Sequence, residues 1–362
     1  MTVEFDAEKE IKLMTKRQHY VQQAYLEQWC VGGRFAVRVD GRLLENQTPL
    51  NYANEKWFYA FVDLTARELD YLFRSLMQVF DFDKHDLARK MFGAICLNVL
   101  RFRCENMDYD AEYDEVYHKI VSSIKFDDEW DKMFAFLKKG AQGDNPISPV
   151  DLARFKERAA EGFESFQCNV EEVAAPCFKM AREDGLSFMK DKATAHALIL
   201  YLVNQAFRGP DYLKMIDKNL PESIRADGGT AELAKYMRYF QPLLVAATLA
   251  KESEVRKMMV INNATDVDFI TGDVPLVIYG ERHSNVPCII YYPLTPHKGL
   301  LYGFKSAVND FNEKFTSTLR RIDKVDWFNR EIIASSMRAV FATTKETLQR
   351  YGVDKPQSLN HQ

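Results

Sequence analysis

The spacing of apolar residues changes character along the chain. The stretch RFAVRVDGRLL near the N-terminus alternates apolar and polar positions around Asp40-Gly41, which predicts a short β-hairpin. From about residue 63 to 251, apolar residues recur every three or four positions, which predicts a large, mostly helical body. From about 255 to 304, short β-branched and aromatic runs are separated by Gly, Pro, Asp and Asn, which predicts a small, mostly antiparallel sheet.

The pattern predicts an α+β fold in which residues 1–350 form a single domain. Helices at about 305–322 and 326–346 are expected after the sheet, and the polar tail at 351–362 is expected to fray. A helix at 195–207 is apolar nearly all round, as is one at 91–102, so both are expected at the centre of the fold. The helical body is predicted from segments at 63–80, 86–105, 110–139, 149–167, 173–207 (in two pieces) and 230–251.

Composition adds limits on partners and location. With 362 residues, 47% of them hydrophobic, the chain can bury a large core. The formal net charge of −4 gives no overall attraction to nucleic acid, so a nucleic-acid partner would need a local basic cluster. The longest apolar run, ALILYLV, is far shorter than the roughly 18 residues that span a bilayer, and the N-terminal residues lack the apolar run of a secretion signal. We therefore expect a cytoplasmic protein without a membrane segment, while its oligomeric state and partners are left open.

Short catalytic signatures do not identify a reaction. The chain has no glycine-rich phosphate loop, no G-x-S-x-G and no H-E-x-x-H. The seven histidines never lie three or four residues apart, and the six cysteines include no C-x-x-C pair, so spacing indicates no cofactor and no metal. Any site must be assembled from distant segments.

The first candidate is KRQHYVQQAYLEQW, residues 16–29. If this stretch were one helix, His19, Gln22, Gln23 and Leu26 would share a face. A polar stripe of that kind is equally well explained as a solvated surface.

The second candidate is the polar stripe of the apolar helix at 195–207, where Tyr201, Gln205 and Arg208 follow each other at four- and three-residue steps. A Gln among apolar neighbours must find hydrogen-bond partners or cost about 1–3 kcal/mol. Two interpretations stay open. Either Arg208 complements the negative helix end while Gln205 braces a neighbouring backbone, or both residues form the floor of a polar pocket.

Two loops supply weaker candidates. In DFITGDVPLVIYG, Asp273 lies on a tight turn, where it either forms an Asx-turn with its own backbone or joins Asp266 and Asp268 as a metal-binding carboxylate. In YYPLTPHKGLLYG, His297 and Lys298 lie where the loop re-enters the sheet, and a structural turn is the favoured interpretation.

Several of these pieces, in this order, resemble a bacterial family known as domain of unknown function 4238. HYVQQAYL resembles its H-Y-V-P-Q-x-Y-L opening, with Gln22 where the family usually has proline. FITGDVP resembles its F-I-T-S-D-N-P-like turn, with Gly272 and Val274 differing. Further elements resemble its Q-x-x-R-x-P, P-L-S-P-like and final-helix motifs, namely Gln205, Arg208 and Pro210, then PLTP at 293–296, then Asn329.

The proline of the family pattern implies where the first helix begins. A proline at position 22 would push the preceding residue out of the helical region and would suit the first helical position. By this resemblance the helix starts near Gln22, and His19 and Tyr20 lie ahead of it in an extended segment. Free backbone N–H groups at that helix start are a place where an anion could bind.

The leading interpretation is an intracellular enzyme acting on a phosphate-bearing substrate, a nucleotide or nucleic acid, as a nuclease or other phosphate-ester hydrolase, with a role in bacterial defence. His19 is expected to act as general acid/base and Asp273 to orient it. If a divalent metal takes part, Asp273 or Asp268 would hold it. The rival interpretation is a non-catalytic binding or interaction module in which the same polar network is structural. Substrate contacts are predicted for Gln23, Tyr25, Gln205, Arg208 and Thr271.

Overall fold

A computed structural model describes residues 17–56, 64–77, 99, 167–183, 185–225, 230–279, 289–315 and 317–352. Most of the predicted helices at 86–105, 110–139 and 149–167, and nearly all of the tail, lie outside these residues. All helices, strands and contacts named below belong to the described residues.

The helices follow the predicted period where they can be compared. The segment at 173–207 consists of two helices, as predicted, and the segment at 230–251 is a single helix that contains Pro242. In the described ranges, no helix combines the length and the apolar character that crossing a bilayer requires. The helices are α1 (Gln23–Leu26), α2 (Ala66–Met77), α3 (167–183), α4 (Lys192–Phe207), α5 (Pro210–Asn219), α6 (Glu222–Arg225), α7 (Thr230–Lys251), α8 (Lys305–Phe315), α9 (Ile322–Ser335) and α10 (Lys345–Gln349).

The strands form a two-, a four- and a five-stranded sheet. They are β1 (Arg17–His19), β2 (Phe35–Val39), β3 (Arg42–Gln47), β4 (Asn54–Lys56), β5 (Arg256–Asn263), β6 (Thr271–Gly272), β7 (Val277–Tyr279), β8 (Ile289–Thr295), β9 (Lys298–Phe304), β10 (Thr318–Leu319) and β11 (Ala339–Ala342). β1 pairs with β4, the four-stranded order is β3-β2-β11-β6, and the five-stranded order is β10-β5-β9-β8-β7. Among the described strands only the β10–β5 pair is parallel, so the predicted antiparallel character and the α+β class are confirmed.

The predicted hairpin is β2–β3. Asp40 and Gly41 have φ values of 50° and 76°, the left-handed backbone that a two-residue hairpin turn requires. The hairpin does not stand apart from the C-terminal region, because β2 also pairs with β11.

The prediction of a helix over 326–346 is wrong at its C-terminal end. α9 ends at Ser335, and the next apolar residues form β11 at the centre of the four-stranded sheet. The backbone N–H groups of Met337 and Arg338 donate to the Asp273 carboxylate, which holds the chain extended after the helix. The helix predicted over 305–322 is also shorter, since α8 ends at Phe315 and β10 follows.

The five-stranded sheet is buried on both faces. Tyr292 on β8 belongs to a core formed with α4, α7 and the N-terminal motif HYVQQAYL, residues 19–26. The adjacent Tyr291 belongs to a second core that includes Phe328 of α9. Successive side chains of a strand point to opposite faces, so burial on both faces explains the continuous apolar run IIYYPL. The N-terminal motif therefore lies where the helices meet this sheet.

Candidate functional site

The N-terminal motif joins the core as a strand followed by one helical turn. β1 pairs with β4, and the N–H groups of Tyr20 and Val21 point to the Ala53 carbonyl at 2.8 and 3.4 Å. Gln22 precedes α1 with φ −57°, close to the value that proline imposes, so the proline of the family pattern would fit this backbone. The predicted helix start near Gln22 and the extended segment ahead of it are confirmed.

The two glutamines of the motif have different environments. Gln22 is half-buried, and its Oε1 accepts a hydrogen bond from the Tyr201 hydroxyl at 3.2 Å. Gln23 is exposed, and its amide donates to Glu27 at 3.3 Å. The structure thus brings Gln22, rather than Gln23, against the central helix α4.

His19 is half-buried at the end of β1. Burial is the largest cause that lowers the pKa of its imidazole below the usual 6.5, and the positive charge of Arg208 lowers it further. A hydrogen bond with the Leu50 backbone and the negative charge of Glu171 oppose that shift. The imidazole is therefore mainly neutral at pH 7, which is the form that accepts a proton.

Arg208 joins α4 to the motif and to α3. Its Nη2 donates to the His19 carbonyl at 3.0 Å, and its Nη1 forms a close ion pair with Glu171 Oε1. Both side chains are largely buried. Sequence reasoning missed Glu171, because an acid on a helix gives no spacing signal for a partner 37 residues away. The guanidinium of Arg208, a predicted substrate contact, thus already holds a carboxylate.

Gln205 lies between Tyr201 and Arg208 on the same face of α4 and is 2% exposed. Within the described residues, neither Nε2 nor Oε1 of its amide has a hydrogen-bond partner. Since Tyr201 reaches Gln22 and Arg208 reaches His19, the Gln205 side chain between them faces the same N-terminal segment.

Tyr25 connects the motif to both larger sheets. Its hydroxyl donates to the Pro293 carbonyl at 2.9 Å and is hydrogen-bonded to Thr271 Oγ1 at 2.7 Å. Its ring packs against Trp29 and Tyr292 at centroid distances of 4.9 and 5.0 Å. Burial raises the pKa of the Tyr25 phenol well above its usual value, so the hydroxyl remains a donor. Tyr25 and Thr271 therefore form a buried joint, and their expected substrate contacts stay predictions.

Asp273 fixes the chain that follows α9. Its Oδ1 accepts the Met337 N–H at 2.9 Å, its Oδ2 accepts the Arg338 N–H at 2.7 Å, and its own N–H donates to the Ala339 carbonyl at 3.0 Å. The residue is 3% exposed. Both carboxylate oxygens thus bind distant backbone, which serves folding and lends no support to the predicted catalytic and metal-binding roles.

The remaining candidates also have partners of their own. Asp268 accepts a hydrogen bond from the Thr343 hydroxyl, and its Oδ1 lies 3.6 Å from His297 Nδ1. The Lys298 ammonium donates to the Arg182 carbonyl. In the part of the chain that the structure describes, no three His, Cys, Asp or Glu side chains are grouped to hold a metal ion.

A groove of about 300 Å³ lies between the hairpin and the loop after β11. Its described walls include Arg34, Glu45, Lys345 and Glu346, and Lys345 approaches Glu45 to 3.7 Å. Because both signs of charge are present, the groove offers no positive surface to a polyanion. None of the predicted site residues is among those walls.

Asn329 completes the set of motif residues. Its Oδ1 accepts the Ile270 N–H at 3.0 Å, and its Nδ2 donates to the Asp268 carbonyl at 2.8 Å and to the Tyr351 hydroxyl at 2.7 Å. It therefore braces the backbone just before β6, the strand that carries Thr271.

The motif-like segments, far apart in sequence, are thus joined by direct contacts. A family model described as Protein of unknown function (DUF4238) matches residues 17–346. The chain belongs to this family. No curated protein and no solved structure matches it. The family accounts for the ordered motifs, and the activity has to be argued from the site.

Proposed function

We propose that the chain is a cytoplasmic enzyme that acts on a phosphate-bearing substrate, a nucleotide or nucleic acid, where the N-terminal motif meets α4. The environment of His19 carries this proposal. A half-buried imidazole with a lowered pKa lies within the electrostatic influence of an Arg208–Glu171 ion pair, and Arg208 also donates to the His19 carbonyl. Perturbed titratable groups of this kind are typical of functional sites.

The chemistry assigned to this site is general-base catalysis. Neutral His19 accepts a proton from an attacking water or hydroxyl group, a step that contributes about 10²–10⁴-fold in rate. The attacking oxygen forms a new bond to phosphorus, the ester P–O bond breaks, and the leaving oxygen takes a proton from protonated His19 or from water. Arg208 binds a phosphate oxygen where it now binds Glu171 Oε1, because a guanidinium recognises carboxylate and phosphate oxygens through the same donors. Glu171 then holds the guanidinium in place until substrate binds. A role in bacterial defence stays a prediction.

A non-catalytic module is the second candidate. The contacts of Tyr25, Thr271 and Asp273 favour it, because each of these predicted site residues has buried hydrogen-bond partners of its own. In such a module the polar network locks the N-terminal motif onto the two sheets, and no substrate is turned over.

The test compares wild type with His19→Ala, in cells and with purified protein. Mass spectrometry of nucleotides and RNA ends after induction is expected to show a product with the wild type that falls about 100-fold or more with His19→Ala. The exposed His297→Ala is the matched control and should retain the product. Melting temperatures of both variants within a few degrees of wild type would separate loss of chemistry from loss of folding. Identical nucleotide and RNA-end profiles for wild type and His19→Ala would overturn the proposal, and unfolding of His19→Ala would favour the structural module.

A further inference from the structure

Gln205 is a buried side chain whose hydrogen-bonding capacity the described protein does not use. The residue is 2% exposed, and both amide heavy atoms are enclosed without a hydrogen-bond partner in the described ranges. A glutamine amide carries two donors and an acceptor, so enclosing it unbonded lowers folding stability. The adjacent Asn204 has the same exposure, but its Nδ2 donates to Gln167 at 2.5 Å. Burial on α4 therefore does not by itself leave an amide unbonded.

The amide belongs to the site proposed for catalysis. Gln205 is three residues from Arg208, and such residues on one helix face have Cβ atoms about 5–6 Å apart. Arg208 contacts the His19 carbonyl, and Tyr201 on the other side of Gln205 contacts Gln22. A ligand whose phosphate reaches Arg208 would thus place its other end near Gln205.

We propose that Gln205 binds the nucleobase of a nucleotide substrate. This inference rests on the proposed function, since it takes Arg208 as the phosphate contact. A side-chain amide presents a donor and an acceptor side by side, and this pair matches the neighbouring donor and acceptor on the edge of a nucleobase, such as the N6 amino group and N7 of adenine or the N4 amino group and N3 of cytosine. Because both amide atoms are closed to solvent, neighbouring side chains must move before the base can bind.

The binding test uses the full chain and four probes: AMP, CMP, ribose 5-phosphate and inorganic phosphate, measured by isothermal titration calorimetry. A bidentate amide–base pair predicts that wild type binds AMP and CMP at least about fivefold more tightly than ribose 5-phosphate. Gln205→Met, which keeps the length of the side chain and removes the amide, should abolish this preference and leave the affinity for ribose 5-phosphate unchanged.

A stability test separates a ligand-reading amide from a structural one. Gln205→Met should raise the melting temperature by about 2 °C, because an enclosed, unbonded amide is removed. Asn204→Leu is the matched control and should lower it, because Gln167 loses its partner. A melting temperature that falls in Gln205→Met as it does in Asn204→Leu would overturn the inference. Equal binding of AMP and ribose 5-phosphate to wild type would also overturn it while leaving the phosphate site intact. If no probe binds wild type, the proposed function fails as well.

Discussion

Tyr25→Phe removes one oxygen from the joint between the N-terminal motif and the two larger sheets. The hydroxyl donates to the Pro293 carbonyl in the five-stranded sheet and is bonded to Thr271 Oγ1 in the four-stranded sheet. Phenylalanine retains the ring that packs on Trp29 and Tyr292. The substitution therefore isolates the contribution of the two hydrogen bonds.

The expected loss is large for a single atom. Each buried group that loses a partner costs about 1–3 kcal/mol, so two such groups lower the free energy of unfolding by about 2–6 kcal/mol. Tyr291→Phe is the matched control, because the hydroxyl of Tyr291 is buried with no hydrogen-bond partner among the described residues. Its removal should change the free energy of unfolding by less than about 0.5 kcal/mol, or raise it.

Urea unfolding at 25 °C measures both variants, with the m-value checked for constancy. Thr271→Val and the double variant Tyr25→Phe/Thr271→Val complete a cycle. We expect a coupling free energy of about 1–2 kcal/mol between the two substitutions. Thr271→Val has already removed the Thr271 hydroxyl, which is one of the two groups that Tyr25→Phe leaves without a partner. The reasoning is refuted if Tyr25→Phe is as stable as Tyr291→Phe, or if the effects of the two substitutions simply add.

Three further outcomes follow from the same geometry. Asp273→Asn should lower the free energy of unfolding by about 2–4 kcal/mol, since one amide oxygen cannot replace two carboxylate oxygens, while the exposed Asp266→Asn stays within about 0.5 kcal/mol in urea titrations. Gly272→Ala should lower the free energy of unfolding by about 2–3 kcal/mol, because the new Cβ would lie 1.8 Å from Ser336 Oγ. Adding Ser336→Gly should recover part of that loss. A Gly272→Ala variant as stable as wild type would contradict the packing. Because the pKa of His19 is lowered in the folded protein, the His19 imidazole of the unfolded chain becomes protonated first as pH falls. The free energy of unfolding should therefore decrease below pH 6.5, by at most about 1.4 kcal/mol per pH unit. Thermal melts between pH 5 and 7.5 should show a shallower slope in His19→Gln, and equal slopes would exclude the shift.

The sequence predicted those parts of the fold that local chemistry decides. Asp40-Gly41 specifies a hairpin turn because both residues tolerate positive φ, and the structure has both in that region. The helical period predicted α7 over 230–251, although Pro242 lies within it. β11 was missed because its four residues continue the apolar spacing of α9, while the strands that pair with it lie far away in sequence.

In the candidate site, too, the sequence indicated the residues of the local motifs but not their contacts with residues far away in the chain. The motif resemblance selected His19 and Arg208, which the structure joins by a hydrogen bond, and Gln205, which lies three residues before Arg208 on α4. It could not assign the role of Asp273, because the N–H groups that Asp273 binds are 64 and 65 residues away in sequence. Glu171 was missed for the corresponding reason.

Two residues that depart from the family pattern, Gln22 and Gly272, are explained by the side chains that lie next to them in the structure. Gln22 has a backbone that suits proline, and it uses its side chain to meet Tyr201. Gly272 stands where the family has serine, and here the hydroxyl of Ser336 occupies the space that a Cβ would take. In both cases a neighbour on another element explains the residue.

The pairing of β2 with β11 has a consequence for biosynthesis. Val37 lies opposite Phe341, roughly 300 residues later, and a ribosome adding about 5–20 residues per second needs about 15–60 s to make that interval. Throughout this time the nascent hairpin presents one strand edge without its final neighbour, and such edges invite intermolecular pairing. A product terminated before residue 339 would never close that edge. Premature termination should therefore yield insoluble or rapidly degraded fragments, and efficient production should depend on chaperones that act while the chain is still being translated.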